Sequence, residues 1–435
     1  MQTRRQILIG AAAATGGATL AGLPMAALAQ SGQVTLDVLY CFPSFARFHE
    51  PVAAMFMKAN PNIKINFRAP APTYDDGHQT ILRSALTNQL PDVFYSGFHL
   101  FPELVRALDK RGQAVALDDL LAKEGPEFLK ANYAENLMAL GTVDRKTYGI
   151  PFNASNPIVY FNNDLVKKAG VTPETFPQTI EGIIELAAKI KDPAAGINGM
   201  AYDVHGWPDS WLFEAMITQA GGRLLTEDGQ DIAFDGPAGL NALKLFRRMI
   251  TEGGMQMIDW EQSRQAFGAG RIGIFFTTPA HLTQVTGLVA GKFDLRTTTF
   301  PIGDQQNGSI PTGGNAVMTF TRDPAKLAAV WSFIKFGTGP EAQKVIVEMT
   351  GYLPTNLRAS GSDFLGPFYD KNPNYRTPIR QIERAGPWGA YPDGNTVRIW
   401  RAQRDIIGKA MRGDVTAEAG HAEIVKTTRE MMKTR

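Results

Sequence analysis

The stretch that decides the fold is YGIPFNASNPIVYFNNDLVKKAG, residues 148–170. Its centre, Ile158–Phe161, is a β-branched and aromatic run bounded by Asn and Pro, which predicts a short buried strand. Residues 162–164 (Asn, Asn, Asp) can cap a helix, and two lysines and Gly170 suit its last turn and its end. A strand that leads directly into a helix is typical of an α/β protein.

Upstream of this strand, the chain passes from one structural unit to another. Pro151 has no N–H to give to a sheet, so it cannot lie in a central strand. The next segment, 153–156, is small and polar (Asn-Ala-Ser-Asn). We interpret this segment as a crossing between two units, where the floor of a binding cleft would lie. The alternative is an ordinary connection within one α/β unit.

Strands and helices alternate before this stretch. The predicted order is strand Val34–Leu39, helix Phe45–Lys58, strand Ile63–Phe67, helix Asp75–Asn88, strand Asp92–Tyr95 and a helix that opens at Pro102. This alternation predicts a mostly parallel sheet, in which ligands bind beyond the carboxyl ends of the strands. The loops at those ends contain Tyr40–Phe45, Tyr74 and Tyr95–Phe98. Because these loops are aromatic, we expect them to contact a ligand.

The second half of the chain also carries residues that suit a hydroxylated ligand. Trp207 and Trp211 are four residues apart, which predicts that they share one face of a helix. We interpret them as a stacking platform for the C–H faces of a sugar or polyol; a pair of core residues is the alternative. Thr278 follows the predicted strand Ile272–Thr277 and opens a helix at Pro279, where free N–H groups suit a phosphate, carboxylate or sugar oxygen.

Several kinds of chemistry are excluded by context. Residues 268–273, GAGRIG, match the dinucleotide fingerprint, but a predicted helix precedes them and a strand follows, which is the reverse of the order that fingerprint needs. The six histidines have no metal-ligand spacing, and the chain has no nucleophile elbow and no phosphate-binding loop of the Walker type. We therefore expect no cofactor and no metal site.

Residues 1–29 are interpreted as a twin-arginine signal peptide. Arg4 and Arg5 precede an Ala/Gly/Leu-rich stretch, and Ala27-Leu28-Ala29 forms a cleavage site. The mature chain would begin near Gln30 in the periplasm; an uncleaved membrane anchor is the alternative. The only cysteine, Cys41, lies well beyond the cleavage site, so neither a lipoprotein nor an internal disulfide is expected.

The composition describes an ordinary globular protein with a neutral surface. The chain has 435 residues, of which 44% are hydrophobic and 20% charged. There are 44 Lys and Arg residues, and loss of Arg4 and Arg5 with the signal leaves 42, against 42 Asp and Glu. This balance argues against nucleic acid or an anionic membrane as the main partner.

Three segments together resemble a known family: residues 148–170, Thr312–Asn315 (TGGN) and Thr350–Pro354 (TGYLP). They are similar to the extracellular solute-binding proteins of ABC importers, family 1, and most similar to the glycerol-3-phosphate receptor branch. The resemblance implies a two-lobed α/β fold of the maltose-binding-protein type, with a ligand cleft between lobes joined by hinge crossings. It implies one lobe from residues 30–153 with 314–353, and a second from 156–311 with 356–435.

The resemblance also implies ligand-binding positions. Tyr74 matches a polyol-contacting tyrosine, Ser155 a cleft serine and Gly314 a backbone donor. Tyr352 matches a phosphate-contacting tyrosine, and Thr278 stands where relatives have serine. Together with the two tryptophans and two positions considered next, the predicted ligand-binding set is Tyr74, Phe98, Ser155, Trp207, Trp211, Thr278, Gly314, Tyr352 and Arg398.

Two of these positions bear on which solute is bound. Arg398 matches the phosphate-clamping arginine of the branch, although a one-residue shift would put Trp400 there. Phe98 replaces a glutamate that holds glycerol hydroxyls, and a phenyl ring cannot accept hydrogen bonds. A larger sugar, polyol or phosphodiester is therefore as well supported as glycerol 3-phosphate.

The resemblance implies a periplasmic monomer that captures a sugar-like solute and delivers it to ABC permease subunits in the membrane, without catalysis. A periplasmic hydrolase of glycosides or phosphodiesters is the alternative, and it predicts pairs of titratable groups facing the cleft. A sensor partner with the same fold is a third possibility.

Overall fold

The computed structural model describes residues 32–433, so the predicted signal peptide lies outside the described residues. Two mixed sheets organise this part of the chain. The first has the strand order Ile63–Phe67, Val34–Leu39, Val93–Gly97, Gly313–Thr319, Gly149–Ser155. The second has the order Leu295–Thr299, Ile158–Asn162, Ile272–Thr277, Asn198–Tyr202.

Helices connect and cover these strands. Their bounds are Ala46–Ala59, Tyr74–Leu86, Phe101–Asp109, Asp118–Glu124, Pro126–Asn132, Glu135–Met138, Asn163–Lys168, Ile180–Ile190, Trp211–Thr218, Pro237–Thr251, Trp260–Gly268, Leu282–Val289, Pro324–Gly337, Pro340–Thr350, Gly366–Lys371, Thr377–Arg380, Thr396–Arg412 and Ala417–Lys433. Two-residue strands pair Thr142–Val143 with Lys146–Thr147, and Ile310–Pro311 with Ala385–Gly386. No helix within residues 32–433 combines the length and the apolar character that crossing a bilayer requires.

The predicted strands at the start of the chain are confirmed, and so is the prediction of a mostly parallel sheet, because four of the five strands of the first sheet run in one direction and only Gly313–Thr319 opposes them. Val34–Leu39 pairs in parallel with both of its neighbours. Gly313–Thr319 runs antiparallel to both Val93–Gly97 and Gly149–Ser155. The reason is that the chain leaves the first sheet along one strand, builds the second sheet, and returns beside that strand in the opposite direction.

The crossing after Pro151 is shorter than the sequence suggested. Residues 153–155 belong to the strand Gly149–Ser155, which also contains Pro151. This strand lies at the edge of the first sheet, where a missing N–H costs little. Its ladder with the returning strand is irregular between Asn315 and Ala316, so one register shift absorbs the local distortion.

Helices pack on both faces of the first sheet. On one face, Val93 and Tyr95 share a buried cluster with Phe48 and Phe56 of the helix Ala46–Ala59. The neighbouring side chain Phe94 points to the other face and belongs to a different cluster, with residues of the helices Tyr74–Leu86 and Phe101–Asp109. Each fully buried aromatic side chain contributes roughly 2–3 kcal/mol of transfer free energy, so this sheet is a rigid base for the loops at its edge.

The segments predicted as crossings lie side by side. The Leu353 N–H donates to the carbonyl of Ala154 over 2.8 Å, next to the backbone pair formed by Ala154 and Gly314. The Asn156 side chain donates to the carbonyl of Pro311 over 3.2 Å. Three stretches that are far apart in sequence therefore meet between the two sheets.

Candidate functional site

A cavity opens where the loops of the two sheets face each other. It contains about 560 Å³ of space not filled by protein atoms, part of which is open to solvent. Its lining consists of Phe42, Ser44, Phe45, Tyr74, Ser155, Trp207, Pro208, Asp209, Trp211, Trp260, Thr278, Ala280, His281, Gly313, Gly314, Tyr352 and Trp388.

Aromatic rings form a continuous chain of contacts along the lining. Trp207 lies 6.0 Å from Trp211 and 5.6 Å from Trp260, measured between ring centroids. Trp388 lies 6.4 Å from Trp211 and 6.4 Å from Tyr74. Such a surface offers apolar contact and C–H···π attraction to a small ligand.

The prediction that Trp207 and Trp211 share a helical face is wrong in detail. The helix begins at Trp211, and Trp207 precedes it in a turn that contains Pro208. The two rings nevertheless stack, with 26° between their planes. Asp209 connects them to the helix start, because its carboxylate accepts a hydrogen bond from the Trp211 N–H over 3.1 Å.

Three other predicted residues are placed by local structure. Thr278 caps the short helix Pro279–His281, accepting the Ala280 N–H over 3.1 Å. The Tyr74 hydroxyl accepts from the Asn315 side chain over 3.1 Å. Gly314 has φ +116°, and a Cβ there would lie 2.2 Å from the carbonyl oxygen of Asn153, so only glycine fits.

Seven of the nine predicted ligand-binding residues line the cavity: Tyr74, Ser155, Trp207, Trp211, Thr278, Gly314 and Tyr352. Phe98 and Arg398 do not. Phe98 is buried in the core, and its N–H donates to the Gly314 carbonyl over 3.1 Å. The Arg398 guanidinium instead donates to the Asn395 side chain and to the carbonyl of Met431.

Trp400, the other candidate for the position of Arg398, also lies outside the lining. It is buried against Phe213, with 6.3 Å between ring centroids, and its indole N–H donates to the carbonyl of Trp207 over 3.4 Å. It thus supports the loop that carries Trp207. The aromatic residues predicted to contact a ligand from the loops of the first sheet are only partly in the lining. Phe42 and Phe45 line the cavity, whereas Tyr95 packs in the core.

The sequence interpretation missed Asp209, Trp260, His281 and Trp388 as lining residues. Asp209 stands between the two predicted tryptophans, so its position was a usable signal. Trp260 and Trp388 reach the cavity from distant segments, and nothing in their local sequence indicates this position.

Besides Tyr74 and Tyr352, the lining has two ionisable side chains, Asp209 and His281, and both are buried. Burial, reinforced by the nearby charge of Asp75, raises the pKa of Asp209 to about 8. Burial lowers the pKa of His281 well below its ordinary value, and the charges of Arg264 and Arg47 act in the same direction. At neutral pH, Asp209 and His281 are therefore mainly uncharged in this arrangement.

Two polar groups of the lining have no hydrogen-bond partner within the protein: the indole N–H of Trp388 and Nδ1 of His281. A buried polar group without a partner costs free energy. Residues 32–433 contain no group of three or more His, Cys, Asp or Glu side chains that could hold a metal ion.

Comparison with known proteins agrees with this geometry. Residues 42–344 match the family described as bacterial extracellular solute-binding protein. A putative binding protein of Brucella abortus is 27% identical over 408 residues, covering 90% of this chain and 91% of that protein. The sn-glycerol-3-phosphate-binding periplasmic protein UgpB of Agrobacterium fabrum is 25% identical over 273 residues, covering 61% of this chain and 62% of that protein.

Solved structures show the same fold. The crystal structure of UgpB from Mycobacterium tuberculosis in complex with glycerophosphocholine superposes with a TM-score of 0.78 at 19% identity, covering 92% of this chain and 98% of that chain. The architecture is the two-lobed α/β fold of maltose-binding-protein type. The match to the family covers more than half of the chain, and this protein belongs to the bacterial extracellular solute-binding protein family.

Proposed function

We propose that this protein is the periplasmic receptor of an ABC importer and that it captures a sugar-like solute, meaning a sugar, a polyol or a glycerol-phosphate type of compound. The observation that carries the proposal is the aromatic cavity with its few unpartnered polar groups, Trp388 Nε1 and His281 Nδ1. Relatives named for glycerol 3-phosphate and a neighbour solved with glycerophosphocholine support the same class.

The solute would bind between two lobes, for which we keep the boundaries 30–153 with 314–353 and 156–311 with 356–435. The two sheets fall on either side of this division. The Arg47 side chain donates to the carbonyl of Ala280 over 2.9 Å, which joins the two groups of residues beside the cavity. A loaded receptor would then present both lobes to the membrane permease as a monomer, and no cofactor is needed.

The hydrolase alternative has less support. Most glycosidases use two acids in one cleft, and the lining contains a single carboxyl group, Asp209, within the part of the chain described. A direct test is to incubate the mature protein with glycosides and phosphodiesters. Released product would favour the hydrolase, whereas recovery of the unaltered compound supports a receptor.

The binding proposal is tested by a thermal-shift screen over sugars, polyols, their amines and their phosphates, since a ligand of the native state raises the midpoint. Trp207→Ala is expected to weaken binding of any hit by at least about tenfold, or 1.4 kcal/mol, as is Tyr352→Ala. Trp331→Ala is the matched control, because Trp331 is 7% exposed and Trp207 8%, yet Trp331 lies outside the cavity. If Trp207→Ala and Tyr352→Ala bind the hit as tightly as the control Trp331→Ala does, the cavity is not the binding site.

A further inference from the structure

The cavity lining holds one carboxyl group, Asp209, beside the tryptophans, and no lysine or arginine. Asp209 lines it, and Asp75 at the start of the helix Tyr74–Leu86 is close enough for its charge to act on Asp209. The charge of Asp209 in turn contributes to the raised pKa of Glu214, a buried residue in the first turn of the helix Trp211–Thr218. Within residues 32–433, no lysine or arginine lines the cavity, and no ion pair includes Asp209 or Glu214, whereas Asp75 lies 3.7 Å from Nε2 of His99.

Carboxylates in such a place need a partner. A buried carboxylate is stable only when it is protonated or when a positive charge pairs with it. The raised pKa of Asp209 corresponds to the first of these, the protonated carboxyl group. A bound cation would give the second, because its charge would favour the ionised form of the carboxyl group.

The rings beside Asp209 are those that bind cations best. Tryptophan faces attract an ammonium group, and the attraction grows when the site excludes water. Trp207 and Trp211 stand on either side of Asp209 in the chain and stack on each other, and Trp388 lies 6.4 Å from Trp211. The backbone N–H of Trp211 donates a hydrogen bond to the Asp209 carboxyl group over 3.1 Å and so fixes its position.

We propose that the solute carries a positively charged nitrogen, as an amino sugar or a hydroxylated quaternary amine does, and that Asp209 selects this charge. The proposal rests on the receptor function given above and narrows its class of solute. The unpartnered N–H of Trp388 and Nδ1 of His281 would meet the hydroxyl groups of the same molecule.

The arrangement also disfavours a free phosphomonoester. Its two negative charges would find no lysine or arginine in the lining to pair with. The charges of Arg47 and Arg264 act on His281, but neither side chain is in the lining: Arg47 donates to the carbonyl of Ala280, and Arg264 lies over the ring of Trp260 at 5.0 Å.

Titration calorimetry on matched compounds tests the proposal: glucosamine against glucose and N-acetylglucosamine, and choline against glycerol and glycerol 3-phosphate. We expect the charged amine of each set to bind at least tenfold more tightly than its neutral and anionic counterparts. Asp209→Asn should abolish this preference. Asp203→Asn is the matched control, since Asp203 is a buried aspartate outside the cavity lining, and it should retain the preference.

The outcomes separate this inference from the receptor function. Equal or tighter binding of the neutral compound or the phosphate overturns the charge selection while the receptor function stands. The same preference in Asp209→Asn overturns the role of Asp209. If no sugar, polyol, amine or phosphate of the wider screen binds, both proposals fail. Should Asp209→Asn not fold, the ratio of affinities in the unaltered protein still decides the charge of the solute.

Discussion

Gly314 is a residue at which backbone geometry and the site depend on each other. Its φ of +116° and the 2.2 Å approach of an added Cβ to the Asn153 carbonyl exclude a side chain. We expect Gly314→Ala to lower the free energy of unfolding by about 2 kcal/mol or more and to weaken solute binding. Denaturant titration measures the first effect and calorimetry the second.

Gly287→Ala is the control for this substitution. Gly287 lies within the helix Leu282–Val289, and a Cβ there would meet nothing within 4 Å. Because alanine is the better helix former, this variant should gain roughly 0.5–1 kcal/mol. Similar stability in the two variants would contradict the assigned backbone constraint at Gly314.

The buried acids predict an unusual dependence of stability on pH. Burial raises the pKa of Asp209 and of Glu214 to about 8. The native state therefore holds protons that the unfolded chain has already released, so stability of the empty protein should rise as the pH falls from 8 to 6.5, by on the order of 1 kcal/mol per carboxyl group. Below that pH the effect is opposed, since buried His49 and His281, whose pKa values are lowered, cannot take up protons that the unfolded chain accepts.

Urea titrations at pH 8.0, 7.25 and 6.5 measure this slope. Asp209→Asn and Glu214→Gln remove the two titrations, so the double variant should show a flatter pH profile over this range. An unchanged slope in the double variant would mean that these carboxyl groups are ionised in the native protein.

At the scale of single elements, the sequence was most informative where one segment determines its own structure. The strands Val34–Leu39, Ile63–Phe67 and Ile272–Thr277 have the predicted bounds, because β-branched and aromatic runs end at clear turn residues. The start of the helix Pro324–Gly337 is also determined locally, because the Asp323 carboxylate caps it by accepting the Lys326 N–H over 2.8 Å.

Elements that depend on distant partners were not predictable in this way. A spacing of four between Trp207 and Trp211 fits a helix, but Pro208 and Asp209 make a turn there, and the rings stack by another route. The direction of Gly313–Thr319 depends on where the chain re-enters the first sheet. Local propensity carries no information about either outcome.

The same limit applies to the whole molecule. The resemblance to the family assigned most of the seven predicted residues that line the cavity. Trp260 and Trp388, in contrast, come from segments that only the complete fold brings near the cavity. Arg398 was predicted to clamp a phosphate, but its side chain lies against the carbonyl of Met431 in the last helix. The match at Arg398 rested on a single residue, which does not determine whether that side chain faces the cavity.

Trp388 connects the two proposed lobes, which leads to a prediction about the whole molecule. Its ring stacks on His99 of the first lobe, with 3.6 Å between ring centroids and 21° between planes, and it also contacts Tyr74. Removing the ring takes away contacts that favour the closed arrangement. We expect Trp388→Ala to increase the radius of gyration of the empty protein in solution scattering, and to lower solute affinity about tenfold, or 1.4 kcal/mol.

Saturating solute should make both the unaltered protein and Trp388→Ala more compact, because the solute itself joins the lobes. Trp331→Ala is the control, because Trp331 is about as buried as Trp388 but lies in the helix Pro324–Gly337, away from the cavity. This variant should leave the radius of gyration and the affinity unchanged. If Trp388→Ala scatters like the unaltered protein with and without solute, the stack on His99 does not control the opening of the cleft, and closure must depend on the crossings near Ala154 and Leu353 instead.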